Sequence, residues 1–215
     1  NGNVSEEYGK FLSENPWLED YTLFMALKDA HKGKSWSEWE KPLRLRDAKA
    51  VASAKKNYAR EMDFYAFLQF KFFQQWFKLK EYANSNGIEI IGDIPIYCAL
   101  DSADVWCEPR LFQLDKNRVP TVVAGFPPDA FSADGQLWGN PIYDWDRMKL
   151  ENYRWWVGRM SFAKKLYDIV RIDHFIGFNS YYAIPFGNKT AHGGEWREGP
   201  KYDLFRVIKE QTGKD

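Results

Sequence analysis

The sequence predicts an α/β fold built on parallel strands, and two stretches carry that prediction. Ile88 to Tyr97 is near-continuously apolar, and Asp168 to Phe178 opens with the β-branched run Ile169-Val170-Arg171-Ile172. Strands covered on both faces read this way. Each run follows a helical pattern and each leads into a carboxylate, Asp93 in the first and Asp173 in the second. Helix then strand, met twice in this order, is the alternation of parallel βα units.

In chain order, Asn15-Pro16 makes a helix start with proline at the first helical position, and Trp17, Tyr21, Phe24 and Leu27 then fall at helical spacing up to about Lys32-Gly33. Ser35 to Asp47 holds Trp36, Trp39 and Pro42 without a sustained period and reads as a connecting loop. From Asp47 to Tyr82 the pattern is helical again, with Tyr65, Leu68, Phe72, Trp76 and Leu79 at spacings of three and four. That stripe is expected to be core. Asn84-Ser85-Asn86-Gly87 stops the helix, with Gly87 as the C-terminal cap. After the first strand, Asp101 to Trp106 reads as a short capped turn, and Phe112 to Val123 as a hairpin turning at Asp115-Lys116-Asn117. Ala124 to Pro141 has Gly and Pro punctuation and no period, so it reads as a long loop; Phe126, Phe131 and Trp138 argue that it binds something rather than being disordered. Asp144 to Tyr167 reads as one helix feeding the second strand, Ala191 to Pro200 as a glycine-rich loop holding Trp196, and Tyr202 to Gln211 as a final helix ended by Thr212-Gly213.

Composition sets the outer limits. With 215 residues, 45% hydrophobic and 28% charged, the chain can bury a core as one domain. Its 30 basic and 30 acidic residues balance, so no long-range field favours nucleic acid or an anionic membrane. No run approaches ~18 uninterrupted apolar residues and the polar start is no signal peptide, which together predict a cytoplasmic protein. Cys98 and Cys107 lack metal-ligand spacing and are expected as buried thiols in a reducing compartment. There is no phosphate-cradling glycine motif, nucleophile elbow or metal-binding helix, so no cofactor and no metal is expected.

The chemistry is expected at the end of the second strand. Side chains alternate faces along a strand, so Arg171 and Asp173 share one side, toward a sheet or barrel interior, while Val170, Ile172 and His174 share the other. A carboxylate there is costly without a partner, and Arg171 both supplies one and keeps Asp173 ionised. Such a pair can simply lock a strand. Its position favours chemistry, at the C-terminal end of a strand, beside His174 and Gly177, where α/β barrels carry their active sites. Two carboxylate-tipped strands and two aromatic-bearing loops suit a neutral polyhydroxylated ligand, whose hydroxyls need Asp, Asn, Arg and His partners and whose rings need flat aromatic platforms.

Arg171-Ile172-Asp173-His174-Phe175, Gly92-Asp93-Ile94-Pro95-Ile96-Tyr97 with Asp101-Ser102-Ala103-Asp104-Val105-Trp106, Pro127-Pro128-Asp129 through Gln136-Leu137-Trp138-Gly139-Asn140-Pro141, and Trp17 to Lys28 together resemble the amylomaltase family of 4-alpha-glucanotransferases, over about residues 15 to 210. The resemblance implies a (β/α)8 TIM barrel with long aromatic-rich insertions, here a partial one, forming a single catalytic domain over residues 1–215 with an insertion at about 98–143. It implies retaining transfer of α-1,4-glucan segments, with maltooligosaccharides as partners, Asp173 as nucleophile, Arg171 steering it, and His174, Asp93, Asp129, Gln136, Trp138 and Asn140 contacting substrate. In the family an acid/base glutamate follows on the next strand, in an Ala-Glu-Asp-Leu-Gly setting, and no such motif follows Asp173. A closed barrel usually needs about 250 residues. The chain therefore reads as the nucleophile half, cut before the acid/base strand, inactive alone, and either a homo-oligomer or associated with the remaining half. Alternatives are a non-catalytic glucan-binding module, an α-glucan hydrolase, and a metal-dependent barrel hydrolase using Asp173, His174 and His192.

Overall fold

The computed structural model describes residues 2–213; Asn1 lies outside the described residues, as do Lys214 and Asp215, the end of the 211–215 stretch that the sequence reads as a loop leading toward the acid/base strand. Contacts divide the chain into two compact units, one comprising residues 1–86 and 101–107, the other residues 87–100 and 108–215. Residues 98–143, read as one insertion, thus fall in both. Among the described residues no helix is long and apolar enough to cross a membrane.

The first unit is helical: α1 (Gly2–Glu14), α2 (Leu18–Ala30), a 3-10 turn (Trp36–Glu38), α3 (Lys41–Arg44), α4 (Ala48–Asn57), α5 (Ala59–Ser85) and α6 (Ala103–Cys107). Helix α1 was not expected, although Val4, Tyr8, Phe11 and Leu12 fall at helical spacing. It forms against α5, where Tyr8 and Phe11 meet Phe70 at ring separations of 5.4 and 5.5 Å. Pro16 separates α1 from α2, since the residue before a proline resists helical dihedrals, and α2 starts two residues beyond it. Ser35 to Asp47 is not a plain loop. Trp36 and Trp39 are buried there with Phe24 and Trp106, and Trp39 meets Trp106 at 5.3 Å. The expected helix from Asp47 breaks at Tyr58 into α4 and α5. Asp47 caps α4, its Oδ1 accepting from the Lys49 and Ala50 N–H groups at 3.0 Å each. Gly87 ends the run in the left-handed region at φ +74, as expected.

The stripe on α5 faces the wrong way for a core. Leu68, Phe72 and Leu79 are exposed, whereas Ala66, Phe70 and Phe73 are buried. An α5 this rich in aromatics is apolar on more than one face, so its period alone does not select the face that packs.

The second unit holds β1 (Ile91–Pro95), β2 (Val122–Phe126), β3 (Gln136–Pro141), α7 (Trp145–Leu150), α8 (Arg154–Leu166), β4 (Ile169–Asp173), a 3-10 turn (Phe175–Phe178), β5 (Ser180–Pro185), β6 (Glu195–Glu198) and α9 (Tyr202–Thr212). Strands β1 and β4 pair in parallel, as the sequence predicts, with Asp93 opposite Arg171 and Pro95 opposite Asp173. Among the described residues they pair only with each other, and their faces are not fully covered: Ile91 and Ile169 are exposed and Val170 and Ile172 half-buried. At Gly92 an added Cβ would stand 2.0 Å from the Tyr167 ring, so only glycine lets that ring lie across β1.

An antiparallel sheet in the order β3-β2-β5-β6 replaces the two expected loops. Its edge strands were illegible because β3 contains Gly139 and ends at Pro141, and β6 is Glu-Trp-Arg-Glu, residues that suit an edge and disguise a strand. Gly125 admits the close approach of β3, since a Cβ there would meet the Gln136 carbonyl at 2.1 Å. The expected hairpin over 112–123 reduces to a turn at Asp115, whose Oδ1 accepts from Asn117 and Val119 at 2.8 Å, closed by isolated bridges. The expected helix over 144–167 is broken between α7 and α8, where Asn152 and Tyr153 take φ +52 and +51. Phe178 meets Trp156 and Phe205 at 5.1 Å each, which joins α8, the turn after β4, and α9.

Candidate active site

The parallel register fixes the charges. Asp93 and Arg171 are cross-strand neighbours, and Asp173 lies two residues beyond Arg171 on the same face. The Arg171 guanidinium spans both carboxylates, donating from Nη2 to Asp173 Oδ1 at 2.9 Å and from Nη1 to Asp93 Oδ2. The pair was expected in an interior, yet the side chains of Arg171, Asp93 and Asp173 are 58, 52 and 59% exposed. Ion pairs so exposed contribute little stability. The arrangement instead fixes the Asp173 carboxylate in direction.

Just past Asp173 the chain turns. His174 takes φ +52 and ψ 44, a left-handed conformation uncommon outside glycine, and opens the 3-10 turn. Strict alternation would put His174 on the face opposite Asp173; this backbone reversal brings both to one cavity of about 240 Å³, lined by Pro95, Ile96, Tyr97, Trp138, Asn140, Asp173 and His174. The Trp138 indole meets the His174 ring edge to face at 4.7 Å. Gly177 lies so close behind the imidazole that a Cβ would stand 3.0 Å from it. Burial pushes the His174 pKa down, and the nearby Asp173 charge offsets that in part. Burial likewise pushes the Tyr97 phenol up.

The floor is braced from behind. Tyr143 donates its hydroxyl to the Ile96 carbonyl at 2.7 Å. Arg159, on α8, donates to the Pro95 and Ile96 carbonyls at 2.7 and 3.2 Å while its guanidinium lies over the Trp155 and Trp156 rings. Asn140 donates to the Cys98 carbonyl at 2.8 Å, which ties β3 to the chain leaving β1.

Of the site residues predicted from sequence, Asp173, His174, Trp138 and Asn140 line the cavity together. Asp93 and Arg171 join it through Asp173, and Gln136 through its Oε1, which accepts from the Trp138 indole N–H at 3.0 Å. Asp129 is not in the wall. Its Oδ1 accepts from the Phe131 and Ser132 N–H groups at 2.8 Å each, shaping the turn between β2 and β3. Sequence reasoning passed over Tyr97 as a site residue although it closes the Gly92-to-Tyr97 motif, and Arg159, for which no local signal existed. Among the described residues, no group of three or more His, Cys, Asp or Glu side chains stands close enough to hold a metal ion, and Asp173, His174 and His192 do not form one. Neither cysteine forms a disulfide among the described residues, and both are half-buried rather than buried; Cys107 Sγ accepts from Arg46 at 3.0 Å, and burial pushes its thiol pKa up.

The family model described as 4-alpha-glucanotransferase matches residues 1–215. A 4-alpha-glucanotransferase of Clostridium butyricum is 49% identical over 215 residues, covering 99% of this chain and 44% of the relative. One from Thermus thermophilus is 51% identical over 198 residues, 92% of this chain and 40% of the relative. The structure of an amylomaltase from Streptococcus agalactiae in complex with acarbose superposes with a TM-score of 0.95 at 42% identity, covering 100% of this chain and 44% of that one. The chain thus spans less than half the length of the relatives it matches. It belongs to the 4-alpha-glucanotransferase family.

Proposed function

We propose that these residues form the nucleophile-bearing part of a retaining 4-alpha-glucanotransferase, with β1 and β4 as neighbouring strands of a (β/α)8 barrel that is partial in this chain. What supports it above all is the Asp173 carboxylate, aimed by Arg171 along the wall of a cavity that also presents the Trp138, Tyr97 and His174 rings. An Asp173 oxygen attacks the anomeric carbon of an α-1,4-linked glucose; the bond from that carbon to O4 of the next sugar breaks, and the departing O4 takes a proton from a general acid. The resulting glycosyl ester is opened by the 4-hydroxyl of an acceptor sugar, which gives its proton to the same group, now a base, as the Asp173 carboxylate leaves. Two inversions at one carbon preserve its configuration. His174, held neutral by burial, serves as a hydroxyl partner, and Asp93, Gln136, Asn140 and Asp129 as further substrate contacts, with Trp138 over the donor glucan.

The acid is the role these 215 residues do not fill. The amylomaltase family carries a glutamate there in an Ala-Glu-Asp-Leu-Gly setting absent from this sequence. The test follows from the leaving group. An α-maltosyl fluoride needs little protonation to depart, so the first half-reaction can proceed without the acid. Incubating the chain with it is expected to add one maltosyl group to Asp173, read by mass spectrometry of peptides, with none in Asp173→Asn. A folded chain that releases no fluoride and gains no adduct would overturn the assignment of the nucleophile.

A further inference from the structure

We propose that Trp196, on β6, is a stacking platform for a glucose unit of the same α-glucan, remote from the bond that is broken; this extends the functional reading above and rests on it. The cavity does not end at His174. The Phe126 ring stands edge-on to His174 at 6.3 Å and edge-on to Trp196 at 5.8 Å. Trp138, His174, Phe126 and Trp196 thus form an unbroken run of rings, carried by β3, the turn after β4, β2 and β6, across one sheet. At its far end Trp196 is 49% exposed, and the rings that hold it, Phe126 and Tyr182, meet it at 89° and 64°, so neither lies flat upon it.

The placement is built. Tyr182 is buried and lies opposite Trp196 in the β5–β6 register, and Gly194 leaves room for it, since a Cβ there would stand 2.5 Å from the Tyr182 ring. The indole is propped by Phe126 and Tyr182 and flanked on its edge strand by the charged Glu195, Arg197 and Glu198, which leaves ring surface open to a flat apolar partner. The apolar face of a pyranose is the partner continuous with the cavity. Glu198, on the same face of β6 two residues on and bonded to Lys201 at 2.9 Å, offers an acceptor for that sugar's hydroxyls.

Binding of maltotriose and maltoheptaose to the full chain, measured by titration calorimetry, tests this. Trp196→Leu keeps apolar bulk without a ring, and is expected to weaken maltoheptaose roughly tenfold while leaving maltotriose within about twofold. Trp196→Phe is expected to recover most of the loss. Equal weakening of both sugars, or of neither, would overturn the platform while leaving the cavity reading intact. If the unsubstituted chain bound neither sugar, the functional reading would fall and the platform with it.

Discussion

At the scale of single residues, the site depends on where His174 points. Its left-handed backbone turns the imidazole onto the side of Asp173, and the burial that follows keeps it neutral. With its folded pKa below the ordinary value of about 6.5, the unfolded chain takes up the proton first as pH falls. The stability from keeping His174 uncharged is therefore present above about pH 6.5 and is lost as pH drops from there toward the folded pKa. In an NMR titration its ring resonances are expected to move at lower pH than those of a free imidazole. A His174 midpoint above 6.5 would contradict the burial argument. Asp173 and Arg171 were legible as a pair because an i, i+2 spacing on a strand fixes a shared face. Asp93 joined them only through register, which no local pattern specifies.

Among the elements, α5 separates what a period can and cannot say. Its helical spacing and its stop at Gly87 follow from local chemistry, but the packed side is decided by α1 and α2. Phe73, 8% exposed, faces Phe11 at 5.7 Å, while the adjacent Phe72 is 53% exposed. Phe73→Ala is expected to cost about 3 kcal/mol or more of unfolding free energy, and Phe72→Ala under about 1 kcal/mol. Denaturant melts of the two variants check this, and the reverse order would return the stripe through Phe72 to the core. The missed edge strands β3 and β6 share one cause, which does not extend to β5, a central strand with the buried apolar run Tyr181-Tyr182-Ala183-Ile184. Their residues satisfy the ladder only beside particular neighbours, and edge strands tolerate the Gly, Pro and charge that make a sequence look like a loop.

For the whole molecule, a carboxylate, its arginine and its aromatic walls are present in one unit, while the Ala-Glu-Asp-Leu-Gly stretch that the family resemblance implies for the acid does not occur in these 215 residues, which on the proposed mechanism leaves that role unfilled. Incubation of this chain with maltotriose is expected to release no glucose and form no longer oligosaccharide, although the fluoride substrate labels Asp173. Glucose release that disappears in Asp173→Asn would mean that another group, such as Asp93, donates the proton.

The sequence by itself determined the parallel α/β pairing, the placing of Arg171 and Asp173 on one strand face and the resemblance to the amylomaltases. Those properties reside in short runs whose alternation, length and residue order are local. Only the tertiary structure decided that His174 turns back beside Asp173, that Arg171 bridges to Asp93, that α5 packs through Phe70 and Phe73, and that Trp196 closes a line of rings leading from the cavity. Each of these joins residues far apart in the chain or turns on one backbone dihedral, and contacts of that kind become defined only when the segments around them have been packed.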